Sequence, residues 1–595
     1  MEDECVESFV ETKKNKKQFN YVTRYVIYRC LEYNVPVKAI AKVILVCSKI
    51  YSRNTSDIDL PVISTVAQMS REMGVIADLQ VAEAVLQADG VTLSFDATTI
   101  KGNHINEIHF NTKEQSLTAS VLMLPGGRAE DYVQHIMDTL EDLSITYSAF
   151  HKCEIQEVRN KMRGKILSTL TDRAAVNSAT VNKLNDLLER QLLQLNCHLH
   201  PLDGIANETR KVLLESNSII PSAVHGTDCR IANLLYAISK LRTALSTAIL
   251  ADLKNEHLIH QLQALGLWSK LVTGPWMALF YAAEGQRNHF DMVKHIKKAL
   301  NFIQKVLDSP EVLYRSEMDA FDFPLLNNET LKSLLLINST KYLNETIKVV
   351  AQATLNVLNR QYFRYLHGDL SDPSIQTKHM AASAPLHNVW AERTLGFYNL
   401  LYQKSPNAEM TFLDGKTKAK VNKALDWVSI KTIDEQEKIL NFCLSRGAAA
   451  RKLGKSRRKR NGEVIMHRLE ESGQKRDTGK RKKLAKDIKD ALQDSSVPIL
   501  QTKHFTALSD QQKLRITDML NENQLNILGS NIDHLWNLNG VDVLYRGKIV
   551  SRSKQFEESI TFTISYWKYD EDAEDYTLPL IDLLCDIILG DLTFS

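Results

Sequence analysis

Two acids stand where strand sequences seldom carry them. Asp96 lies in "VTLSFDATTIKGNHINEIHF", residues 91–110, which alternates apolar and polar residues like a strand and turns at Lys101-Gly102-Asn103. Asp172 closes "KILSTLTD", a second strand pattern. A third acid, Glu392, sits in "PLHNVWAERTLGFYNLLYQKSPNAEM", which reads as helix; Glu409 in the same stretch is a weaker substitute. Carboxylates delivered to one point by strands and a helix suit Mg²⁺ (or Mn²⁺), which takes oxygen ligands and keeps several waters. Two such ions about 4 Å apart can activate a water or a 3′-hydroxyl and stabilise the leaving oxygen of a phosphodiester. Histidine or cysteine would serve those ions poorly. From these residues alone, a metal site and ordinary capping acids stay equally open.

The surrounding elements must position those acids. Residues 18–90 read as helical: "YVTRYVIYRCLEYN" and "VKAIAKVILVCSKIY" meet at Asn34-Val35-Pro36, and Pro36 suits the opening of the second helix. The pair fits either a DNA-entering helix-turn-helix or a structural hairpin; its second helix is apolar for a recognition helix. A hairpin or three short strands are expected over residues 91–125, then a helix after Pro125-Gly126-Gly127, then the Asp172 strand and the amphipathic helix "RAAVNSATVNKLNDLLERQLLQL". That order predicts an α/β sheet with acids at strand centres or ends. Residues 205–380 are helical again and read as an insertion. The expected organisation is an N-terminal helical region (1–90), the sheet domain (91–204), the insertion (205–380), a return of the sheet domain (381–445), a basic linker (446–495), and a helix with a small β barrel (496–595).

The chain has 595 residues, 44% of them hydrophobic, and a net charge of +3. Nothing in it resembles a signal peptide or a membrane span, so no membrane partner is expected. Eight scattered cysteines do not suggest a disulfide framework. Charge is uneven. Residues 451–490 hold 16 Lys/Arg against 6 Asp/Glu, a local +10, which leaves the rest at −7. Lys455, Arg457, Arg458, Lys459 and Arg460, with Lys480, Arg481, Lys482 and Lys483, are candidates for DNA contact and nuclear import. A solvated face is the plainer alternative.

Four segments, "LSFDATTIKG", "LTDRAAVNSATVNKLNDLL", "NCHLHPLDG" and "NVWAERTLGFYNLL", resemble successive landmarks of eukaryotic cut-and-paste DNA transposases of the hAT, P-element and Kolobok-like assemblage, and of host proteins derived from them. The resemblance covers roughly residues 55–430. It implies a ribonuclease-H-like catalytic domain interrupted by a helical insertion. The first acid, on the first strand, would be Asp96; the second, ending the fourth strand, Asp172; the third, on a helix after the insertion, Glu392. It further implies Mg-dependent DNA cleavage and strand transfer in the nucleus, DNA as partner, and a homo-oligomer. The motif Cys197-x-x-His200 would be structural or DNA-positioning; as a lone pair it lacks the ligands of a closed zinc site.

Other motifs carry less. "DGKTKAK" contains Gly-Lys-Thr, but Met410 stands where a phosphate loop needs glycine. "GQRNHF", residues 285–290, fits a helix-end turn or a DNA contact. The zinc finger that such transposases often carry has no counterpart before Asp96. In the expected barrel, Trp536, Tyr545, Tyr566, Trp567 and Tyr576 could form an aromatic cage for a methylated lysine and so a chromatin contact, or could be core. The rival to a transposase is a domesticated, non-catalytic DNA- or chromatin-binding nuclear protein. A purely structural helical protein leaves the acid-bearing strands unexplained.

Overall fold

In the computed structural model of this chain, the described residues are 13–15, 18–51, 59–216, 224, 226, 228–240, 247–282, 288–325, 329–336, 340–493, 499–521, 527–538, 541–554, 560–567 and 573–595. The architecture is mixed α/β and mostly helical, with two five-stranded sheets. The chain divides into two compact units, Met1–Gly462 and Glu463–Ser595. Among the described residues no helix is long and apolar enough to cross a membrane.

After a short antiparallel strand pair, Lys13–Asn15 with Gln18–Phe19, come helices α1 (Tyr21–Glu32), α2 (Val37–Tyr51) and α3 (Ile63–Gln87). Ile27, Leu31, Ile40 and Ile44 turn inward onto Val66, Met69 and Met73 of α3. The expected helical pair is thus packed as a hairpin against a third helix. Strands β1 (Val91–Ile100), β2 (Asn103–Asn111) and β3 (Ser116–Leu124) follow. Lys101 (φ 49°) and Gly102 (φ 80°) make the tight turn between the first two; two positive φ values suit the twist of a two-residue hairpin. Helix α4 (Ala129–His151) leads to β4 (Ile166–Thr171), and α5 (Ala175–Leu188) to β5 (Leu193–Asn196). The sheet order is β3-β2-β1-β4-β5; the first three strands pair antiparallel, and β4 and β5 run parallel to β1.

Alternation along β1 explains its odd composition. Leu93 and Phe95 enter a core with Val85 of α3, Ile136 of α4 and Leu184 of α5. Burying a side chain such as Phe95 (1% exposed) contributes roughly 1.5–3 kcal/mol. Thr92, Ser94 and Asp96 face the other way. There the sheet meets α10 (Val389–Lys404) and α11 (Met410–Val421) through Ile100, Ile105, Val121, Leu395, Tyr398 and Leu413. Along the chain, between β5 and α10, come α6 (His200–Ser216), α7 (Glu256–Trp268), α8 (Val293–Asp308) and α9 (Lys341–Leu366), and the core of this block around Trp276 and Tyr362 also takes in Leu170 of β4 and Leu195 of β5. The helical block therefore shares a core with the sheet.

Helix α11 crosses α3 where two glycines meet: a Cβ on Gly74 would lie 2.9 Å from the Gly415 Cα, and one on Gly415 2.5 Å from the Ser70 carbonyl oxygen. The Gly-Lys-Thr of residues 415–417 is thus a helix-crossing motif, with Lys416 and Thr417 buried. The stretch expected as a linker is helical instead: α12 (Ile433–Gln493) runs through it, and the boundary between the units falls inside it.

The second unit holds α13 (Asp510–Leu520), β6 (Asn531–Leu538), β7 (Val541–Lys554), β8 (Ile560–Trp567), β9 (Glu574–Pro579), α14 (Leu580–Leu589) and β10 (Leu592–Phe594). The expected barrel is corrected to an open antiparallel sheet, order β9-β8-β7-β6-β10. Leu583, Leu584 and Ile587 of α14 bury Phe562 and Ile564, so a helix covers the face that barrel closure would have covered. In the acidic run before and within β9, Asp570, Glu571 and Asp572 lie outside the described residues; Glu574 and Asp575 are exposed on β9.

Candidate active site

Strand register brings the two aspartates together. Ser94 lies beside Leu170 in the parallel pairing of β1 with β4. Two residues further along each chain come Asp96 and, just past the end of β4, Asp172, near enough for the Asp172 charge to act on the Asp96 carboxyl. Asp96 Oδ1 accepts from the Ala97 amide at 2.8 Å. Asp172 Oδ1 accepts from the Ala174 amide at 2.9 Å and from the Asn177 side chain. Among the described residues, Oδ2 of each takes no hydrogen bond. Burial, opposed by the Ala97 amide and reinforced by the Asp172 charge, pushes the Asp96 carboxyl up to about 6. Burial and the same two carboxylates push the nearby Tyr132 hydroxyl up to about 12.

Glu392 stands in the first turn of α10, exposed. It shares with Asp96 a cleft of about 530 Å³ between β1 and α10. Glu409 is elsewhere: it pairs with Arg71 of α3 and Arg451 of α12, which removes it as a substitute.

The Cys197-x-x-His200 motif joins the elements that carry the acids. The Cys197 amide donates to the Thr171 carbonyl, one residue before Asp172, at 3.1 Å. Its sulfur accepts from the amide of Asn388, the N-cap of α10, at 3.4 Å. The His198 amide donates to the Leu386 carbonyl at 2.9 Å. His200 opens α6 beside the aspartates; its hydrogen bond to Cys197, against burial and with help from Asp172 and Asp96, raises it to about 9. The motif ties the end of β4 to the N-cap of α10 and sets the His200 imidazole near the acid pair.

A second tie was not singled out in the sequence. Glu107, fully buried, lies directly opposite Asp96 on β2. It accepts from His109 Nδ1 at 2.8 Å and from the Thr118 hydroxyl at 3.0 Å. Thr118 in turn accepts from the Trp390 indole at 2.9 Å and meets the Thr394 hydroxyl at 3.3 Å. Residues 390 and 394 flank Glu392, so this buried chain holds the turn that presents it. A charged residue at a strand-interior position of "HINEIHF" was the available signal.

A divalent cation can be weighed against this donor set. Among the described residues no three His, Cys, Asp or Glu side chains are gathered to enclose a metal. Mg²⁺, however, is usually held by one or two carboxylates with waters and substrate phosphates. Two adjacent carboxylates, one held against its charge, fit that mode.

The basic run divides. Arg457 donates bidentately to Asp142 of α4, with 2.9 Å from Nη2 to Oδ1, and pairs with Asp138; Arg460 also pairs with Asp138. These two tie α12 to α4; the Arg457 side chain is 17% exposed and engaged there, while that of Arg460 is 43% exposed and keeps a solvent face. Lys455, Arg458 and Lys459 are exposed. In the second unit Arg481, itself exposed, pairs with Asp586 at 2.6 Å, and Lys480, Lys482 and Lys483 are exposed as well. Neutralising Lys455 and Arg458 together should lower the slope of log affinity for duplex DNA against log salt by about two. Arg457→Ala should instead lower the unfolding midpoint, because it leaves the partly buried Asp142 carboxylate without its partner, while Asp138 keeps Arg460. Binding titrations at several salt concentrations and melting curves separate the two.

Two other candidates resolve structurally. Trp536, Tyr545, Tyr566 and Tyr576 do converge, but edge on face at centroid distances of 5.5–6.4 Å, so neighbouring edges occupy the ring faces a cation would use. Tyr566 is 4% exposed and bonds His534 at 2.6 Å; Trp567 alternates to the opposite face. Residues 285–287 of "GQRNHF" lie outside the described residues, and His289 is buried with Nε2 at 2.8 Å from the Pro385 carbonyl.

In the first unit, burial favours the neutral form of three imidazoles. Burial drives His135 down to about 3, His289 to about 4, and His198 well below its usual range. A group with a depressed value adds stability above its unfolded value and loses it as pH falls through the folded one. Asp78 and Asp96, both raised by burial to about 6, act in the opposite sense. From about pH 6.5 to about pH 5 the imidazoles cost about 2 kcal/mol each and the carboxyls return about 1 kcal/mol each. The melting temperature should therefore fall over that window; a level or rising one would contradict the burial assignments.

No protein-family model matches this chain, and no curated protein matches it.

Proposed function

We propose that the first unit is a ribonuclease-H-like DNA-cleaving domain, and that the chain is a transposase or a protein derived from one. The observation that carries the reading is the pair Asp96 and Asp172, on the first and fourth strands of one sheet, beside the cleft of Glu392. This is the acid order that the sequence resemblance implies. Asp96 and Asp172 would hold Mg²⁺ (or Mn²⁺), with Glu392 reaching it from α10. Bound there, the ion would activate a water or a 3′-hydroxyl and stabilise the leaving oxygen. The chain's own residues hold the geometry: the Ala97 and Ala174 amides fix one oxygen of each aspartate, Cys197 fastens the end of β4 to the N-cap of α10, and Glu107 with Thr118 holds the turn of Glu392.

The test is incubation of the full chain with supercoiled plasmid and Mg²⁺, with EDTA as control. Nicked circles that need the ion support the reading. The place of His200 favours the rival, a non-catalytic DNA-binding protein: its imidazole, held up to about 9 chiefly by its hydrogen bond to Cys197, lies near the acid pair and would balance their charge without a metal. DNA binding with no nicking in either Mg²⁺ or Mn²⁺ would establish that rival.

A further inference from the structure

A second cavity, of about 830 Å³, lies in the helical block of the first unit. Its walls come from α6, the helix Arg230–Ser239, the end of α7 and the turn after it. Most of the lining is apolar, as at Leu202, Ile205, Leu235 and Met277. Small-molecule sites have that size and lining, with a few polar groups to fix the ligand. Two such groups are in place. Trp268 is 3% exposed, and its indole Nε1 has no hydrogen-bond partner among the described residues; Thr209 is 6% exposed, and its Oγ1 has none either. Ile205 packs in one core with Trp268, and Thr209 follows Ile205 by one helical turn, so both groups belong to one stretch of wall. A buried polar group without a partner is costly to fold. An indole N–H can only donate, so whatever meets it must accept. The same wall includes the π-helical turn Ser269–Thr273 between α7 and the helix Gly274–Ala282; such turns are frequent at functional sites. A Cβ on Gly274 would lie 2.5 Å from the Ser269 carbonyl oxygen, so the turn closes only on glycine. Among the charged groups of the lining, His200 and Arg210 stand against Asp203 and Glu392, which leaves no surplus cation to hold an anion.

We infer that this cavity binds an uncharged, largely apolar small molecule with a carbonyl-type acceptor, received by Trp268 Nε1 and the Thr209 hydroxyl. Each property of the ligand follows from the wall: the apolar body from its leucines and Met277, the acceptor from the indole, the neutrality from the balanced charges. Glu392 lines this cavity as well as the cleft of Asp96, so a bound molecule would lie against the turn that presents that acid. The inference does not rest on the DNA-cleaving reading, and its test reads no cleavage.

The test titrates the full chain with prodan, a neutral fluorescent naphthylamine bearing one ketone, and with its analogue that lacks the acyl group. Prodan emission should shift to the blue and saturate, and prodan should bind more tightly than the analogue. Trp268→Phe and Thr209→Val should each weaken prodan by about three- to tenfold, the worth of one hydrogen bond, and leave the analogue unchanged. Ala206→Trp should abolish binding of both, because the indole would fill the cavity. Residue 206 is exposed on α6 and lines the cavity, so that variant should fold; its melting curve checks this. Prodan binding that fails to saturate, that Ala206→Trp leaves intact, or that is no tighter than binding of the analogue would overturn the inference. So would Trp268→Phe and Thr209→Val variants that both bind prodan as wild type does. Plasmid nicking, present or absent, decides the cleavage reading separately.

Discussion

Asp96→Asn and Asp172→Asn should each reduce Mg²⁺-dependent nicking by roughly two to four orders of magnitude, the range for removing one group that acts at a reacting centre. Neither should unfold the protein. Asp96 is a largely buried carboxyl held up to about 6, so its charge opposes folding, and an amide of the same shape removes that cost. In Asp172→Asn the remaining side-chain oxygen would still accept from the Ala174 amide. Activity and stability should therefore part company: nicking lost, melting temperature unchanged or higher. Glu392→Gln should lower nicking too, with no effect on stability, because that side chain is exposed. A nicking rate unchanged in both aspartate variants would show that the acids are not the site.

Lys418→Met should destabilise the first unit by about 3–5 kcal/mol, the range for removing one partner of a buried ion pair. Lys418 is 7% exposed at its side chain and lies 2.6 Å from Asp78 of α3 and 3.0 Å from Asp414 one turn back. Burial pulls its pKa down, but those two carboxylates carry it above the ordinary lysine range. Without the ammonium, two buried carboxylates face each other beside the Gly74–Gly415 crossing, and α11 loses its charge contact with α3. Denaturant titration reads the loss as a lower midpoint. Adding Asp78→Asn and Asp414→Asn to Lys418→Met should recover much of it, because no buried charge is then left unpaired. A single variant as stable as wild type would mean that water already solvates the three groups.

Much of the sheet was legible in the sequence because a half-buried strand must alternate. The period of two in residues 91–100 marked β1, and Lys101-Gly102 marked its turn. Asp96 and Asp172 stood out because a strand face rarely takes an ionised group without a reason. The packed roles of Arg457 and Arg460 were not legible. A run of cations looks alike whether solvent or Asp138 and Asp142 of a distant helix receives it, and only the packing of α12 on α4 decides which. The C-terminal strands were visible for the same reason as β1. Closure was not, since alternation says which face is buried and not whether a strand or a helix such as α14 buries it.

The sequence by itself determined which residues could do chemistry and which face of each element is apolar, because residue type and local period depend only on neighbours along the chain. The tertiary structure alone decided which acids meet. Asp96 and Asp172 are 76 positions apart and become neighbours through the parallel register of β1 and β4. Glu107 joins them only because antiparallel pairing sets it opposite Asp96. Cys197 becomes a clamp only because the chain returns at Asn388 after the helical block. Register and return are set by cores assembled from every element, and no short stretch of sequence contains them.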